Sequence, residues 1–265
     1  MEKMSHAGKV AVITGSTSGI GLEIARYLAR EECSVVITGL GEQSAIDSIV
    51  SEFRTNYPTV KTNYIAADLR DVSSVKSFCE SVNKLHPDGI DILVNNAGIQ
   101  LMAPVEEYPD DIWNDTLAIT LTASFQLIKS FIPKMKTKGW GRIINMSSQQ
   151  GLISAPGKCA YSTVKHGIIG LTKCVALEGA PLGITCNAIC PGYVDAPMAY
   201  VSIARLAEVN GTTYEEEKLK FLQNMPTNKV VTVQEVAALS LFLCSESACN
   251  INGTSIPIEG GNTIR

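Results

Sequence analysis

The chain has 265 residues, of which 45% are hydrophobic, enough for one large α/β domain or two small ones with a sizeable core. A net charge of −4 and a pI near 5.5 argue against a basic surface for nucleic acid or anionic lipid. Met1–Lys9 is short and polar and no apolar run reaches membrane-spanning length, so we expect a cytoplasmic protein with no membrane partner.

Short runs rich in Val and Ile alternate along the chain with longer amphipathic stretches. The short runs predict buried parallel strands at Lys9–Thr14, Ser34–Thr38, Thr62–Ala66, Asp91–Val94, Arg142–Met146, Ile184–Ile189 and Ser255–Ile258. The longer stretches predict helices at Gly19–Arg30, Gly41–Tyr57, Ser73–Leu85, Asp110–Lys136, Cys159–Glu178 and Val233–Cys244. This alternation is typical of right-handed βαβ units in a doubly wound α/β sheet, and no break in composition divides residues 1–265 into domains.

The first predicted strand is followed by three glycines, Gly15, Gly19 and Gly21, at the start of a helix. Glycines at such a turn let the backbone approach a pyrophosphate, and the helix N-terminus supplies free N–H groups and the positive end of a dipole. A tight turn without a ligand is the alternative, but the position between strand and helix favours a nucleotide site.

The eight cysteines are spread through apolar segments and include no C-x-x-C pair, and the three histidines are not clustered with them. In a chain of this length such cysteines are typical of buried, reduced thiols. We therefore expect no metal site.

Residues 197–226 depart from the strand–helix alternation, because this stretch is polar and follows the sixth predicted strand. It therefore lies beyond the carboxyl ends of the strands, where a doubly wound sheet binds its ligand. The stretch is either a solvated helical insertion or a substrate lid, and its position favours the lid.

Further motifs follow the other predicted strands: Asn95-Asn96-Ala97-Gly98, then Ser148, then Tyr161 and Lys165 four residues apart, then Pro191-Gly192. With the glycine turn, these motifs resemble the short-chain dehydrogenase/reductase family from about Gly8 to Gly261. The resemblance implies a single-domain Rossmann fold with seven parallel strands, usually assembled as a homotetramer, and a nicotinamide cofactor.

The resemblance also implies which residues contact the cofactor. Asp68, after the third strand, should meet the adenine, or it caps the following helix, and both roles can coexist. The expected cofactor-binding residues are Gly15, Thr17, Ser18, Gly19, Ile20, Gly21, Leu40, Asp68, Leu69, Asn95, Ala97, Gly98, Tyr161, Lys165, Pro191, Gly192 and Val194.

The charge near the adenine ribose favours NAD over NADP. A 2′-phosphate requires Arg or Lys, yet Ser18 is neutral and the tip of the second strand, residues 38–42, contains no base and one acid, Glu42. The Asp that usually binds the ribose at this tip is absent, so the preference need not be strong.

Tyr161 and Lys165 lie one turn apart on one helix face. A nearby ammonium and a cationic nicotinamide should lower the phenol pKa, so that Tyr161 exchanges a proton with substrate near neutral pH. Ser148 should donate to the substrate oxygen, and Lys165 should also hold the ribose. Thr120 stands where the family has a catalytic Asn, so either the proton path is rewired or catalysis is weakened.

Within the family, the chain resembles the D-3-hydroxybutyrate dehydrogenases, for example over Gly183–Gly192. In those enzymes a Gln, a His, a Lys and a lid Gln hold the carboxylate. Gln100 and Lys158 match the first Gln and the Lys, whereas Gln150 and Ser202 replace the other two, and Ala196 replaces a Thr near the cofactor amide. The expected substrate-binding residues are Gln100, Ser148, Gln150, Lys158, Tyr161, Tyr193, Met198 and Ser202.

Three functions remain open. The first is an NAD-dependent dehydrogenase of 3-hydroxybutyrate or a related small hydroxy acid, with acetoacetate as the ketone. The second keeps the chemistry but takes a larger apolar alcohol, such as a terpenoid or steroid, because the lid carries Met198, Tyr200, Val201 and Ile203. The third is a cofactor-binding sensor or scaffold with little turnover, which only Thr120 supports.

Overall fold

The computed structural model describes residues 6–223 and 225–264, so most of the expected polar N-terminal stretch lies outside it. Within the described chain, seven strands form one parallel sheet in the order β3-β2-β1-β4-β5-β6-β7. The strands are β1 (Val10–Thr14), β2 (Ser34–Thr38), β3 (Thr62–Tyr64), β4 (Ile92–Asn95), β5 (Gly141–Met146), β6 (Ile184–Pro191) and β7 (Ser255–Ile258). The doubly wound parallel sheet expected from the sequence is confirmed.

The helices alternate with the strands and cover both faces of the sheet. They are α1 (Gly19–Arg30), α2 (Gln43–Asn56), α3 (Val72–Leu85), α4 (Asp110–Leu117), α5 (Ala123–Lys138), α6 (Cys159–Gly179), α7 (Pro197–Asn210), α8 (Tyr214–Gln223) and α9 (Val233–Cys244). The expected single helix over Asp110–Lys136 is wrong in one respect. A π-helical turn, Ala118–Thr122, separates α4 from α5, because an i→i+5 turn leaves the apolar period almost unchanged and gives no break in the sequence.

Side chains of alternate strand residues enter two different cores. Ala11 and Ile13 of β1 pack in the core that includes α1 and α9, whereas Val12 packs in the core that includes α3 and α5. Such fully buried Val and Ile side chains each stabilise the fold by about 1.5–3 kcal/mol. Burial on both faces explains why the strand sequences are continuously apolar.

The order of the sheet reverses between β1 and β4, which pair directly although two strands lie between them in sequence. Crossovers run in opposite directions from this point, so a crevice opens at the carboxyl ends of β1 and β4. The glycine turn after β1 and the Asn-Asn-Ala-Gly segment after β4 both lie at this crevice.

The stretch expected to form a lid contains two helices, α7 and α8, joined at Gly211 in the left-handed region. Its two ends meet at the body, where Val194 and Val231 form a β-bridge and the Asp195 amide donates to the Val231 carbonyl at 2.9 Å. Buried Ile203 and Met225 pack with Tyr193. Asn224 lies outside the described residues. The rest of residues 197–226 packs on the body through apolar side chains, so the solvated insertion considered as an alternative is not found.

The cysteines only partly match the expectation of buried thiols. All eight lie in the described ranges as free thiols; Cys33, Cys79, Cys186, Cys190 and Cys244 are buried. In contrast, Cys174 and Cys249 are exposed and Cys159 is half-buried, because each lies on a helix or turn face that the apolar pattern of the sequence does not distinguish.

Searches of the described residues give two further findings. No group of three or more His, Cys, Asp or Glu side chains there is arranged to hold a metal ion. None of the described helices combines the length and apolar character needed to cross a membrane.

Candidate active site

A cavity of about 570 Å³ lies at the crevice between the carboxyl ends of the strands. The glycine turn and Leu40 form one end, and the lid residues Met198, Ser202 and Phe221 cover the other. Between them lie the ends of β4, β5 and β6 together with the N-terminal part of α6. The cavity therefore joins the expected cofactor residues to the expected substrate residues.

The glycine turn is attached to the segment after β4 by several hydrogen bonds. The Thr14 hydroxyl accepts from the amides of Asn96 and Ala97 at 2.9 and 3.0 Å, and the Asn96 side-chain amide donates to the Thr14 carbonyl at 2.9 Å. A Cβ on Gly15 would lie 3.0 Å from the Ala97 Cα, so the two segments pack backbone against backbone. This contact holds the floor of the cavity rigid.

The residues at this end fit a dinucleotide. Gly15 and Gly19 have φ angles of +61° and +53°, which only glycine adopts without strain. Within the described chain, the Ser18 side chain makes no cap bond to the first turn of α1, and this turn carries no acid. Its N–H groups are therefore available for a diphosphate, whose charge the helix dipole favours.

The adenine end of the cavity contains a cation that the sequence analysis did not identify. The Arg70 guanidinium donates to both carboxylate oxygens of Asp68, at 2.6 Å for the shortest bond, and lies 3.8 Å from Asp115 of α4. The hydrogen bonds from Arg70 hold the pKa of Asp68 below its usual value. Asp68 does not cap α3, the alternative role considered above, because Asp71 accepts from the Ser73 amide instead.

Ser148, Tyr161 and Lys165 come together at the centre of the cavity and are 7%, 8% and 3% exposed. The Lys165 Nζ donates to the Met146 carbonyl at 2.6 Å and lies 5.4 Å from the centre of the Tyr161 ring. The Ser148 hydroxyl accepts from the Gln150 amide at 3.1 Å. Strand β5 and helix α6 thus place an alcohol, a phenol and an ammonium in one enclosed space.

Burial shifts the pKa values of both catalytic candidates on α6. Desolvation raises the pKa of Tyr161, and a hydrogen bond with Ser148 partly opposes the rise. Desolvation lowers the pKa of Lys165 to about 8. The expected lowering of the Tyr161 pKa by Lys165 is not found, because the ammonium is bonded to the Met146 carbonyl and burial is the larger effect.

Thr120 lies behind the cavity wall rather than on it. It is 2% exposed, in the π-helical turn, and its hydroxyl finds no hydrogen-bond partner among the described residues. A Cβ on Gly98 would lie 3.3 Å from the Thr120 hydroxyl and 3.7 Å from Lys165 Nζ. The Thr120 hydroxyl and the Lys165 ammonium therefore both lie against Gly98, and the Thr120 carbonyl accepts from the Ser124 hydroxyl at 2.7 Å.

At the end of the cavity farthest from the glycine turn, the lid contacts the body of the protein close to a lysine. The Gln100 amide donates to the Ser202 hydroxyl on α7 at 3.1 Å, and the ring of Tyr193 stacks on Phe221 of α8 at 5.5 Å. Half-buried Lys158 lines the cavity here, and desolvation lowers its pKa. Lys158 is therefore part of the cavity wall.

Most of the residues expected from the sequence line this one cavity. They are Gly15, Thr17, Ser18, Gly19, Ile20, Leu40, Asp68, Leu69, Ala97, Gly98, Gln100, Ser148, Gln150, Lys158, Tyr161, Lys165, Pro191, Gly192, Tyr193, Val194, Met198 and Ser202.

Gly21, Asn95 and Thr120 do not line it, contrary to expectation. Gly21 packs beneath Gly15, where a side chain would collide with the Gly15 carbonyl. The Asn95 amide points into the sheet and donates to Asn145 at 2.8 Å.

Further lining residues were missed by sequence reasoning, among them Arg70, Asp115, Gln149 and Phe221. Arg70 and Gln149 are adjacent in sequence to expected residues, so their positions gave a usable signal. Asp115 and Phe221 gave none, because only the packing of α4 and α8 brings them to the cavity.

Known proteins resemble this chain over nearly its whole length. The short chain dehydrogenase family model matches residues 9–205. D-beta-hydroxybutyrate dehydrogenases of Rhizobium meliloti (strain 1021) and Cupriavidus necator are 43% and 38% identical, covering 97% and 96% of this chain and 99% and 97% of their own. L-sorbose reductase from Gluconobacter frateurii, solved with NADPH and L-sorbose, has a TM-score of 0.91 at 28% identity, with 99% of each chain covered.

The similarity and the geometry agree. The matched residues include the glycine turn, Ser148, Tyr161 and Lys165, which the fold gathers at one cavity. The resemblance inferred from the sequence motifs is confirmed: the chain belongs to the short-chain dehydrogenase/reductase family of oxidoreductases.

Proposed function

We propose that the protein is an NAD-dependent dehydrogenase of a small hydroxy acid, 3-hydroxybutyrate or a close relative, with the corresponding keto acid as the second substrate. The observation that carries the proposal is the presence of Ser148, Tyr161 and Lys165 together with Lys158 in one cavity beneath the lid. The first three provide the proton chemistry of a secondary alcohol, and Lys158 provides a cation for an acid group.

The proton chemistry belongs to the buried residues of α6 and β5. A bound nicotinamide cofactor supplies or takes up the hydride. The Ser148 hydroxyl donates to the substrate oxygen and holds it beside Tyr161. The Tyr161 hydroxyl gives a proton to the ketone oxygen or takes one from the alcohol. Lys165 lies one helix turn from Tyr161; burial lowers its pKa to about 8, and its Nζ is bonded to the Met146 carbonyl.

Charges at the adenine end support NAD rather than NADP. Arg70 is bonded to Asp68 and close to Asp115, so two carboxylates already face its one positive charge. Leu40 and the rest of the tip of β2 add no cation. A 2′-phosphate would have to displace a carboxylate from Arg70, which disfavours NADP. The related sorbose reductase was solved with NADPH, so the assay described below compares NAD with NADP.

The substrate end supports a small anion. The Lys158 side chain is partly desolvated, and the Lys158 pKa is lowered by this burial, so a carboxylate would compensate the buried charge. Judged by their names, the two D-beta-hydroxybutyrate dehydrogenases reported above act on a small hydroxy acid. Gln150 is 4% exposed and neutral, so less positive charge faces the substrate than a protonated histidine would provide there.

A substrate screen tests the proposal. Purified protein with NAD or NADP is offered D- and L-3-hydroxybutyrate, longer hydroxy acids and neutral secondary alcohols, and reduced cofactor is followed by absorbance. We expect turnover of a small hydroxy acid with NAD, and Tyr161→Phe should reduce kcat by a factor of about 10³ or more with the fold retained. Ser162→Ala, next to Tyr161 on α6, is the matched control. Preference for NADP, or turnover of neutral alcohols only, would contradict the assignment.

A larger apolar alcohol is the second candidate. Met198 of the lid lines the cavity, and Ile203 and Phe221 line the same end. These side chains would contact an apolar substrate body, but Ile203 also packs within the lid cluster with Tyr193 and Met225. A sensor or scaffold with little turnover is the third, and it would show cofactor binding without turnover in the same screen.

We also propose that residues 1–265 form a single domain and that the protein is a homotetramer in the cytoplasm. Exposed apolar residues support assembly: Phe125 on α5 is 49% exposed and Leu177 on α6 is 79% exposed. Light scattering after size-exclusion chromatography measures the mass directly. A monomer at micromolar concentration would contradict the proposal.

A further inference from the structure

The residues after β7 lie against two parts of the candidate active site. Strand β7 pairs with β6 up to Pro191 and Ile258, so the chain leaves the sheet beside Gly192 of the cavity. A Cβ on Gly192 would lie 2.9 Å from the Glu259 Cα. We call residues 259–264 the C-terminal segment.

The C-terminal segment first contacts the end of the lid. The Thr227 amide donates to the Gly260 carbonyl at 3.3 Å, and a Cβ on Gly261 would lie 3.4 Å from the ring of Pro226. Gly260 and Gly261 have φ angles of +69° and +85°, so the backbone takes a path that other residues rarely adopt. This path brings the chain past the lid and back toward β5.

The same segment then bonds to the turn that carries Ser148. The Asn262 side-chain amide donates to the Gln149 side-chain oxygen at 3.0 Å. Gln149 follows Ser148 directly and begins a short helical turn, Gln149–Gly151. Buried Glu259 accepts from the Thr263 amide at 2.9 Å, which fixes the segment on either side of Asn262.

We propose that Asn262 is a positioning residue for Ser148, and that the C-terminal segment couples the end of the lid to the catalytic turn. The inference rests on the proposed function for its kinetic part. Asn262 does not line the cavity, so it does not contact substrate. It acts through Gln149, which does line the cavity. Its amide orients the turn whose first residue donates to the substrate oxygen.

The proposal predicts a specific change in pH dependence. The hydrogen bond with Ser148 opposes the effect of burial on the Tyr161 pKa. If Ser148 moves when Asn262 is lost, this bond weakens and the Tyr161 pKa rises further. In alcohol oxidation kcat rises with pH as Tyr161 loses its proton, so this rising limb of the pH profile should move to higher pH. Cofactor affinity should change little, because among the described residues the hydrogen bond of the Asn262 side chain goes to Gln149 and not to the glycine turn or α1.

The experiment compares Asn262→Ala and Asn262→Asp with the native protein. The Asp variant keeps the size of the side chain but loses the N–H donor. It therefore tests the same hydrogen bond if the Ala variant does not fold. We expect kcat to fall about tenfold and the profile to shift by about half a pH unit, with KM for cofactor within about twofold. Thr263→Ala is the matched control, because it shortens the adjacent side chain and keeps the amide that bonds Glu259.

A double-mutant cycle with Gln149→Ala tests whether the two residues act together. If they do, the double variant loses no more kcat than the worse single variant. Full additivity, or an unchanged pH profile in both Asn262 variants, would overturn the proposal.

A second readout does not depend on turnover. Amide hydrogen exchange in Asn262→Ala should accelerate around residues 148–153 and 225–231, and stay unchanged in β1. Unchanged exchange in both regions would also overturn the coupling. If native protein turns over no alcohol but the exchange pattern changes as expected, the proposed function fails and the structural coupling stands.

Discussion

At the scale of single residues, burial determines the chemistry of the site. Tyr161 and Lys165 are both almost inaccessible, and desolvation disfavours the charged form of each. The Tyr161 pKa therefore rises while that of Lys165 falls. Because the two groups have similar pKa values in water, these opposite shifts move their proton affinities apart. Burial strengthens the hold of Tyr161 on its proton and weakens that of Lys165.

Lys158 provides a prediction about substrate charge. Replacing it by Ala removes a partly desolvated cation from the substrate end of the cavity. We expect kcat/KM for the hydroxy acid to fall about 10–100-fold, mainly through KM, because the lost contact binds ground state and transition state alike. Steady-state kinetics measure it, and Lys173→Ala, an exposed lysine of the same helix, is the matched control. An unchanged KM would exclude Lys158 as the carboxylate contact.

Asp115 provides a prediction about cofactor choice. Its carboxylate lies 3.8 Å from Arg70, so Asp115→Asn removes one of the two negative charges facing that guanidinium. We expect the ratio of kcat/KM for NADP to that for NAD to rise about three- to tenfold, since Arg70 then has one fewer carboxylate to give up for a 2′-phosphate. Asp110→Asn, at the exposed start of the same helix, should leave the ratio unchanged. An equal ratio in all three proteins would contradict this role.

At the scale of elements, local signals in the sequence account for some boundaries and not others. Helix α9 begins with a complete capping box, in which the Thr232 hydroxyl accepts from the Glu235 amide and Glu235 accepts from Thr232. The π-helical turn between α4 and α5 has no such signal, and the Thr122 side chain makes no cap bond to the start of α5. It matters nevertheless, because this turn contains Thr120.

The capping box of α9 gives a stability prediction. Thr232→Ala removes the hydroxyl that satisfies a first-turn amide, and we expect a loss of about 1 kcal/mol in the free energy of unfolding. Thr232→Ser, which keeps the hydroxyl, should lose much less. Urea unfolding followed by circular dichroism compares the three proteins. Equal losses for Ala and Ser would mean that the cap bond contributes nothing.

At the scale of the whole molecule, acids hydrogen-bonded in the folded state predict the response to low pH. The pKa of Glu52 is lowered by its hydrogen bond from Arg26, and the pKa of Glu235 by its bond from the Thr232 amide. Because folding lowers these pKa values, their stabilisation is complete above the unfolded value of about 4.3 and is lost as the pH falls through the folded values.

We therefore expect the free energy of unfolding to decrease steadily below a pH of about 4.5, with Glu52→Gln flattening part of the decrease. The Arg26–Glu52 pair is partly exposed, so the variant should lose up to about 1 kcal/mol at neutral pH. Urea unfolding at several pH values measures both quantities, with Glu80→Gln as a control for removing one surface acid. A Glu52→Gln curve parallel to the native curve would contradict the assignment.

The sequence by itself determined the class of fold and the chemistry of the site. Continuous apolar runs identify strands buried on both faces. The glycine turn and Ser148 follow such runs, and Tyr161 and Lys165 are spaced to share one face of a helix. Only the tertiary structure decided which long-range neighbours modify these groups. The contacts of Arg70 with Asp115, Gln100 with Ser202 and Asn262 with Gln149 depend on how helices, lid and C-terminal segment pack. Desolvation depends on the same packing, so the direction of the Tyr161 pKa shift could not follow from sequence periodicity.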